Sequence, residues 1–214
     1  MLARRLAPAV LALCGCVSAL PRLTRTGDSW RLDGRPYSIA ATPDGEILSP
    51  AAWTLQNFDV DRDGLHKKSR KDARDLIFGR VKDDGKLMIT TRPLDAEDQL
   101  KDLRVLFDRD REAERLVLSK ASSSAARQIL EFREVLPPQQ VGVDGAEALA
   151  VVVDLAHTGQ SEVVTTDLIV VIRPLDRHWL TTLVYVNRPG QFSAGRGEVT
   201  DLIGRLHFEA AAAR

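Results

Sequence analysis

ALAVVVDLAHTGQSEVVTTDLIVVIRPLDRHWLTTLVYV, residues 148–186, decides the fold. It holds three apolar, β-branched runs: Ala148–Ala156, Val163–Ile172 and Trp179–Val186. Thr158-Gly159-Gln160-Ser161 separates the first two, and Leu175-Asp176-Arg177-His178 separates the last two. β-branched enrichment favours strands over helices, and the short polar connections predict an antiparallel meander. Just upstream, Ile129–Leu136 reads as a fourth strand, ended by Pro137-Pro138, because proline cannot donate to a ladder.

Further toward the N-terminus, Leu76–Val81 and Leu87–Thr91 flank Lys82-Asp83-Asp84-Gly85-Lys86, a hairpin signal with its turn at Asp84-Gly85. Asp95 then caps a predicted helix that runs to about Leu118, with Leu100, Leu103 and Phe107 at helical spacing. A second amphipathic helix carries Val199, Leu202 and Ile203 toward Leu206-His207-Phe208. Gly195-Arg196-Gly197 is expected as a flexible loop before it. The domain opens at Trp30 with two short strands around Gly34. Residues 43–72, rich in Pro, Gly and charge, read as a long loop with a helical turn around Ala51–Leu55. Strands in runs with segregated helices define an α+β domain, an antiparallel sheet with helices packed on it.

Three stretches resemble the Mog1/PsbP-like superfamily: Gly34-Arg35-Pro36-Tyr37-Ser38-Ile39 leading to Pro43, Val143-Asp144-Gly145-Ala146-Glu147-Ala148 before the long apolar strand, and the closing Asp201–Phe208. The element order is similar over residues 30–209. The Trp that commonly follows the early Pro in that family is displaced in this chain. The resemblance implies an αβα sandwich and a role in protein binding or assembly. It carries over no functional residues, because that superfamily shares no common site.

The first residues address the chain. Arg4 and Arg5 precede a short apolar stretch, Leu6–Leu13, too short to span a bilayer as a helix. Leu13-Cys14-Gly15-Cys16 resembles a bacterial lipobox, with an ordinary secretory signal cut after Ala19 as the alternative. The lipobox implies cleavage before Cys16 and acylation of that residue with two or three chains, enough for a stable anchor. The expected organisation is a signal peptide at 1–15, a lipidated N-terminus and tether at 16–29, one domain at 30–209 and a tail at 210–214. The protein is then anchored by lipid to the cell membrane or outer membrane and faces the periplasm; Val17 after the lipidated residue favours the outer membrane. Both cysteines lie in this leader, so the domain has no disulfide and no thiol nucleophile. Removing residues 1–15 leaves 28 basic against 30 acidic residues, a balance that argues against a nucleic-acid partner.

Motifs of catalysis are not evident. His66, His157, His178 and His207 have no metal-ligand spacing, and no Gly-x-Ser-x-Gly elbow or phosphate loop occurs. No cofactor is expected. Asp59-Val60-Asp61-Arg62-Asp63-Gly64 spells the start of a calcium loop, yet the position for a bidentate Glu is Arg70 and the window is net positive. It reads instead as a charge-alternating loop tip. Trp53 and Phe58 on the same loop are either binding anchors or pins to the core. The leading expectation is a non-enzymatic module that binds a protein in the cell envelope, with Trp53, Phe58, Asp59, Asp61 and Asp63 as the contact loop. The alternative is a small-ligand or cation-binding module using residues 43–72, and a hydrolase comes third.

Overall fold

The meander forms as its sequence predicts. The computed structural model describes residues 20–61, 64–69, 73–111, 130–157, 159 and 161–209, the side chains of Asp61 and Leu130 excepted. In it β10 (Ala146–His157) pairs with β11 (Val163–Pro174), and β11 with β12 (Trp179–Asn187), all antiparallel. The edge strand β9 (Leu130–Val143) flanks β10. On the far side of β12 lie β8 (Lys86–Pro93), β7 (Leu76–Arg80) and β4 (Trp53–Leu55), giving a seven-stranded sheet in the order β4-β7-β8-β12-β11-β10-β9.

Both faces of this sheet are covered, which is why β10 and β11 are continuously apolar rather than alternating. Val151, Val153, Leu155, Ile169, Val171 and Leu180 pack under Leu103, Leu106 and Phe107 of α1, helical from 103 to 111. On the opposite face Val152, Val170, Ile172, Leu183 and Tyr185 meet α2 (Phe192–Gly204) through Val199, Leu202 and Ile203. The same face carries a six-stranded sheet, β13-β3-β2-β1-β6-β5, built from β1 (Arg22–Thr26), β2 (Ser29–Leu32), β3 (Tyr37–Ala40), β5 (Phe58–Asp61), β6 (Gly64–Lys67) and β13 (Leu206–Phe208). Each fully buried leucine or isoleucine between the layers contributes about 1.5–3 kcal/mol relative to exposure. The α+β architecture is therefore present, with the second sheet sharing a layer with α2.

Several local expectations change. The stretch expected as tether enters the sheet at Arg22, ahead of Trp30. Its sequence RLTRT shows one apolar residue, Leu23, but that residue is 2% exposed and β1 pairs with both β2 and β6. Residues 43–72 are not a loop throughout, because β4, β5 and β6 lie within them. The helical turn is confined to Ser49, whose carbonyl accepts from Ala52 and Trp53 N–H just before β4 begins. Gly195 and Gly197 lie inside α2 rather than before it.

β9 continues past Pro137-Pro138 to Val143. Ala150 pairs with Gln139 and Val152 with Leu136, so the two prolines fall where the register slips and no ladder N–H is required.

The helix expected from Asp95 is divided. The Asp95 carboxylate accepts from Asp98 N–H at 2.7 Å, and a short 3₁₀ turn spans Asp98–Leu100. Lys101 is extended, and the Asp102 carboxylate accepts from Arg104 N–H to start α1. Leu100 is 84% exposed and does not reach the sheet. The expected continuation from 112 to Leu118 lies outside the described residues.

Asp98 fastens this division. Arg109 of α1 grips it with two bonds of 2.6 and 2.7 Å, and Lys101 and Arg92 approach at 3.1 and 3.5 Å. Hydrogen bonds from Arg109, then from Lys101, hold its carboxyl well below the usual carboxylate range against the opposing effect of burial. A depressed folded-state pKa contributes stability above the unfolded value of about 3.9, and that contribution is lost as pH falls below it. Asp98→Asn is therefore less stable than wild type at pH 7, and the gap narrows below about pH 4. Urea unfolding across this range measures it; a gap that stays constant refutes the assignment.

Candidate functional site

Where the sequence placed a contact loop, the structure builds an apolar cleft. In β5, Phe58 and Val60 share one face of the strand and Asp59 lies on the other, as the two-residue period requires. Phe58 turns inward and is 5% exposed. Val60, at the far end of the same face, is 80% exposed at the lip. Trp53, Phe78 and Leu65 form the walls, and half-buried Trp30 forms one side, its indole donating to Gly45 O at 3.0 Å. The cleft is about 240 Å³.

Trp53 is fixed from several directions. β4 pairs it opposite Arg80, whose guanidinium lies 5.6 Å from the indole ring. Its indole N–H donates to the Glu198 carboxylate of α2, and Tyr185 stands edge-on at 6.0 Å. Trp53 is 3% exposed, so Trp53 and Phe58 are core walls and not exposed anchors. Their aromatic character was legible in the sequence; their burial depends on strands that the surrounding Pro, Gly and charge concealed.

The described part of the acidic motif lies in paired strands. Asp59 pairs with His66, Val60 with Leu65 and Asp61 with Gly64. Backbone groups that a calcium loop would turn toward an ion are engaged in strand pairing here. Asp59 is exposed and lies 3.6 Å from Lys68. Asp63 and Cys16 lie outside the described residues, as does the Asp61 side chain. Among the described residues no group of three His, Cys, Asp or Glu could hold a metal ion. Sequence reasoning missed Val60 and Trp30. The alternation Phe-Asp-Val-Asp held the signal for Val60, but the carboxylates drew the reading.

The segments that suggested a family also meet in space. β13 pairs with β3, placing Leu206 opposite Ile39 and Phe208 opposite Tyr37, and Phe208 N–H donates to Asp144 O at 3.0 Å. The structure of cyanobacterial PsbP (CyanoP) from Synechocystis sp. PCC 6803 matches with a TM-score of 0.52 at 16% identity, covering 93% of this chain and 99% of that one. The chain has the Mog1/PsbP-like fold. The Ran-binding protein Mog1p of Saccharomyces cerevisiae is similar at a TM-score of 0.47 and 9% identity, over 89% of this chain and 96% of its own. No protein-family model and no curated protein matches the chain.

Within this Mog1/PsbP-like fold, one buried carboxylate sits between the sheets. Asp75 is fully buried, and burial raises its pKa from the ordinary value. Thr91 and Arg35 counter that shift, Arg35 Nε donating at 2.5 Å, and Tyr37 OH stands 3.5 Å from the other oxygen. Burial, then the charge of Asp75, pushes the Tyr37 phenol well above its usual range. Acid–base catalysis by a carboxylate requires reach to a substrate proton. Asp75 is sealed from solvent, and its partners lock β3 to β7 and β8.

Proposed function

We propose that this chain is a lipid-anchored, non-enzymatic protein of the cell envelope that binds another protein through the Trp30–Val60 cleft. The exposure of Val60 at the mouth of an apolar, aromatic-walled cavity carries this reading. Apolar groups held at the rim of a preformed pocket are typical of places where a partner seats an anchor side chain. The volume of about 240 Å³ lies below the roughly 300–1,000 Å³ of small-molecule sites. That favours a single side chain over a cofactor-sized ligand. The Leu13–Cys16 leader supports the anchor.

Affinity capture from native envelopes tests the binding. A protein recovered with wild type should fall at least about tenfold with Val60→Asp and persist with Val81→Asp, a change at another exposed valine. Equal recovery with both variants, or no protein above a Cys16→Ala control, overturns the proposal. Mass spectrometry of the mature N-terminus tests the anchor: a diacylated Cys16 is expected, and an unmodified chain starting after Ala19 excludes it.

A further inference from the structure

A second cavity lies on the same face of the larger sheet as the aromatic cleft, toward the opposite edge, between α2 and the edge strand β9. It encloses about 370 Å³. Val152, Leu168 and Val170 form its floor, Leu136 one wall and Ile203 the other. Gly142 and Gly204 also line it, and a Cβ at either would meet no atom within 4 Å. Among the described residues no acidic side chain lines it. Arg196 stands on its rim, exposed, one helical turn before Thr200, and among the described residues its guanidinium has no hydrogen-bond or ion-pair partner.

We propose that this groove binds a long-chain fatty acid, its alkyl chain along Val152, Leu168 and Val170 and its carboxylate on Arg196. An unpaired guanidinium above an apolar floor complements a ligand with one anionic end and no other polar group. A peptide suits the groove poorly. Its backbone N–H and C=O groups would lie against the floor side chains, which offer no partner, and each unpaired group opposes binding. The volume sits at the low end of the small-molecule range, which fits one acyl chain rather than the two of a phospholipid.

Palmitate binding to the full chain carrying Cys16→Ala, which needs no detergent, tests this by displacement of a fluorescent fatty acid below the micelle threshold. Saturable one-to-one binding is expected. Arg196→Glu should weaken palmitate about tenfold or more while leaving hexadecanol, which has the same chain without the charge, within about twofold. Thr200→Trp, an exposed position on the groove lip, should abolish both. Phosphatidylglycerol vesicles should not displace palmitate. Binding that does not saturate, Arg196→Glu with unchanged palmitate affinity, or displacement by the vesicles overturns the proposal; the last result would assign the groove to a membrane lipid.

Discussion

Tyr185→Ala is expected to destabilise the domain by about 4 kcal/mol, the cost of deleting a large buried aromatic ring. Tyr185 has no exposed surface and joins three elements. Its ring stacks on Phe192 of α2 at 5.4 Å and meets Trp53 of β4 edge-on. Its hydroxyl donates to Phe192 O at 3.2 Å and accepts from Asn187 Nδ2 at 3.0 Å. A methyl built on Gly195 would collide with that hydroxyl, so α2 is seated directly on it. Truncation leaves a cavity at the junction of the larger sheet, α2 and the aromatic cleft, where neighbours held by their own pairings cannot collapse inward. Tyr185→Phe keeps the ring and should cost about 1 kcal/mol. Denaturant unfolding of the two variants separates packing from hydrogen bonding. Equal losses would show that the hydroxyl, and not the ring, is the principal contribution.

Gly145→Ala should cost about 3 kcal/mol although it adds one methyl group. Gly145 has φ +73°, a left-handed conformation that penalises any Cβ. The new methyl would also overlap the carbonyl oxygen of Phe208. That oxygen cannot swing aside, because Phe208 N–H is bound to Asp144 O and β13 is paired to β3. Gly142→Ala, three residues earlier, is the control: its methyl enters open space and should change stability by less than about 1 kcal/mol. Similar losses at both positions would contradict the proposed docking of β13 on the β9–β10 turn.

The central meander was legible in the sequence because burial on both faces wrote it as unbroken β-branched runs. β1 was not, because a strand with Leu23 as its single core residue among arginines and threonines carries almost no periodic signal. The strands within residues 43–72 are three or four residues long and bounded by Pro, Gly and acids, so local composition outweighed alternation. Asp61-Arg62-Asp63-Gly64 illustrates the ambiguity. Such residues can open a calcium loop or join two strands, and the described residues on either side, Asp61 and Gly64, are paired as β5 and β6. For the cleft, Trp53 and Phe58 were identifiable as residues of interest, but Trp53 needed the long-range contacts to Tyr185 and Glu198 to become a wall. Leu136, Ile203 and Arg196 converge only after β9 and α2 are brought to one face of the sheet, and no spacing in the chain records that.

Pro137 and Pro138 interrupt the outermost strand of the larger sheet. Uninterrupted, its 14 residues would offer a neighbouring molecule a long row of unpaired N–H and C=O groups. Two adjacent positions without an N–H, set at a break in register, divide that row into short pieces that cannot template a continuous ladder. The interruption guards each molecule against edge-to-edge polymerisation, a protection whose value rises with crowding.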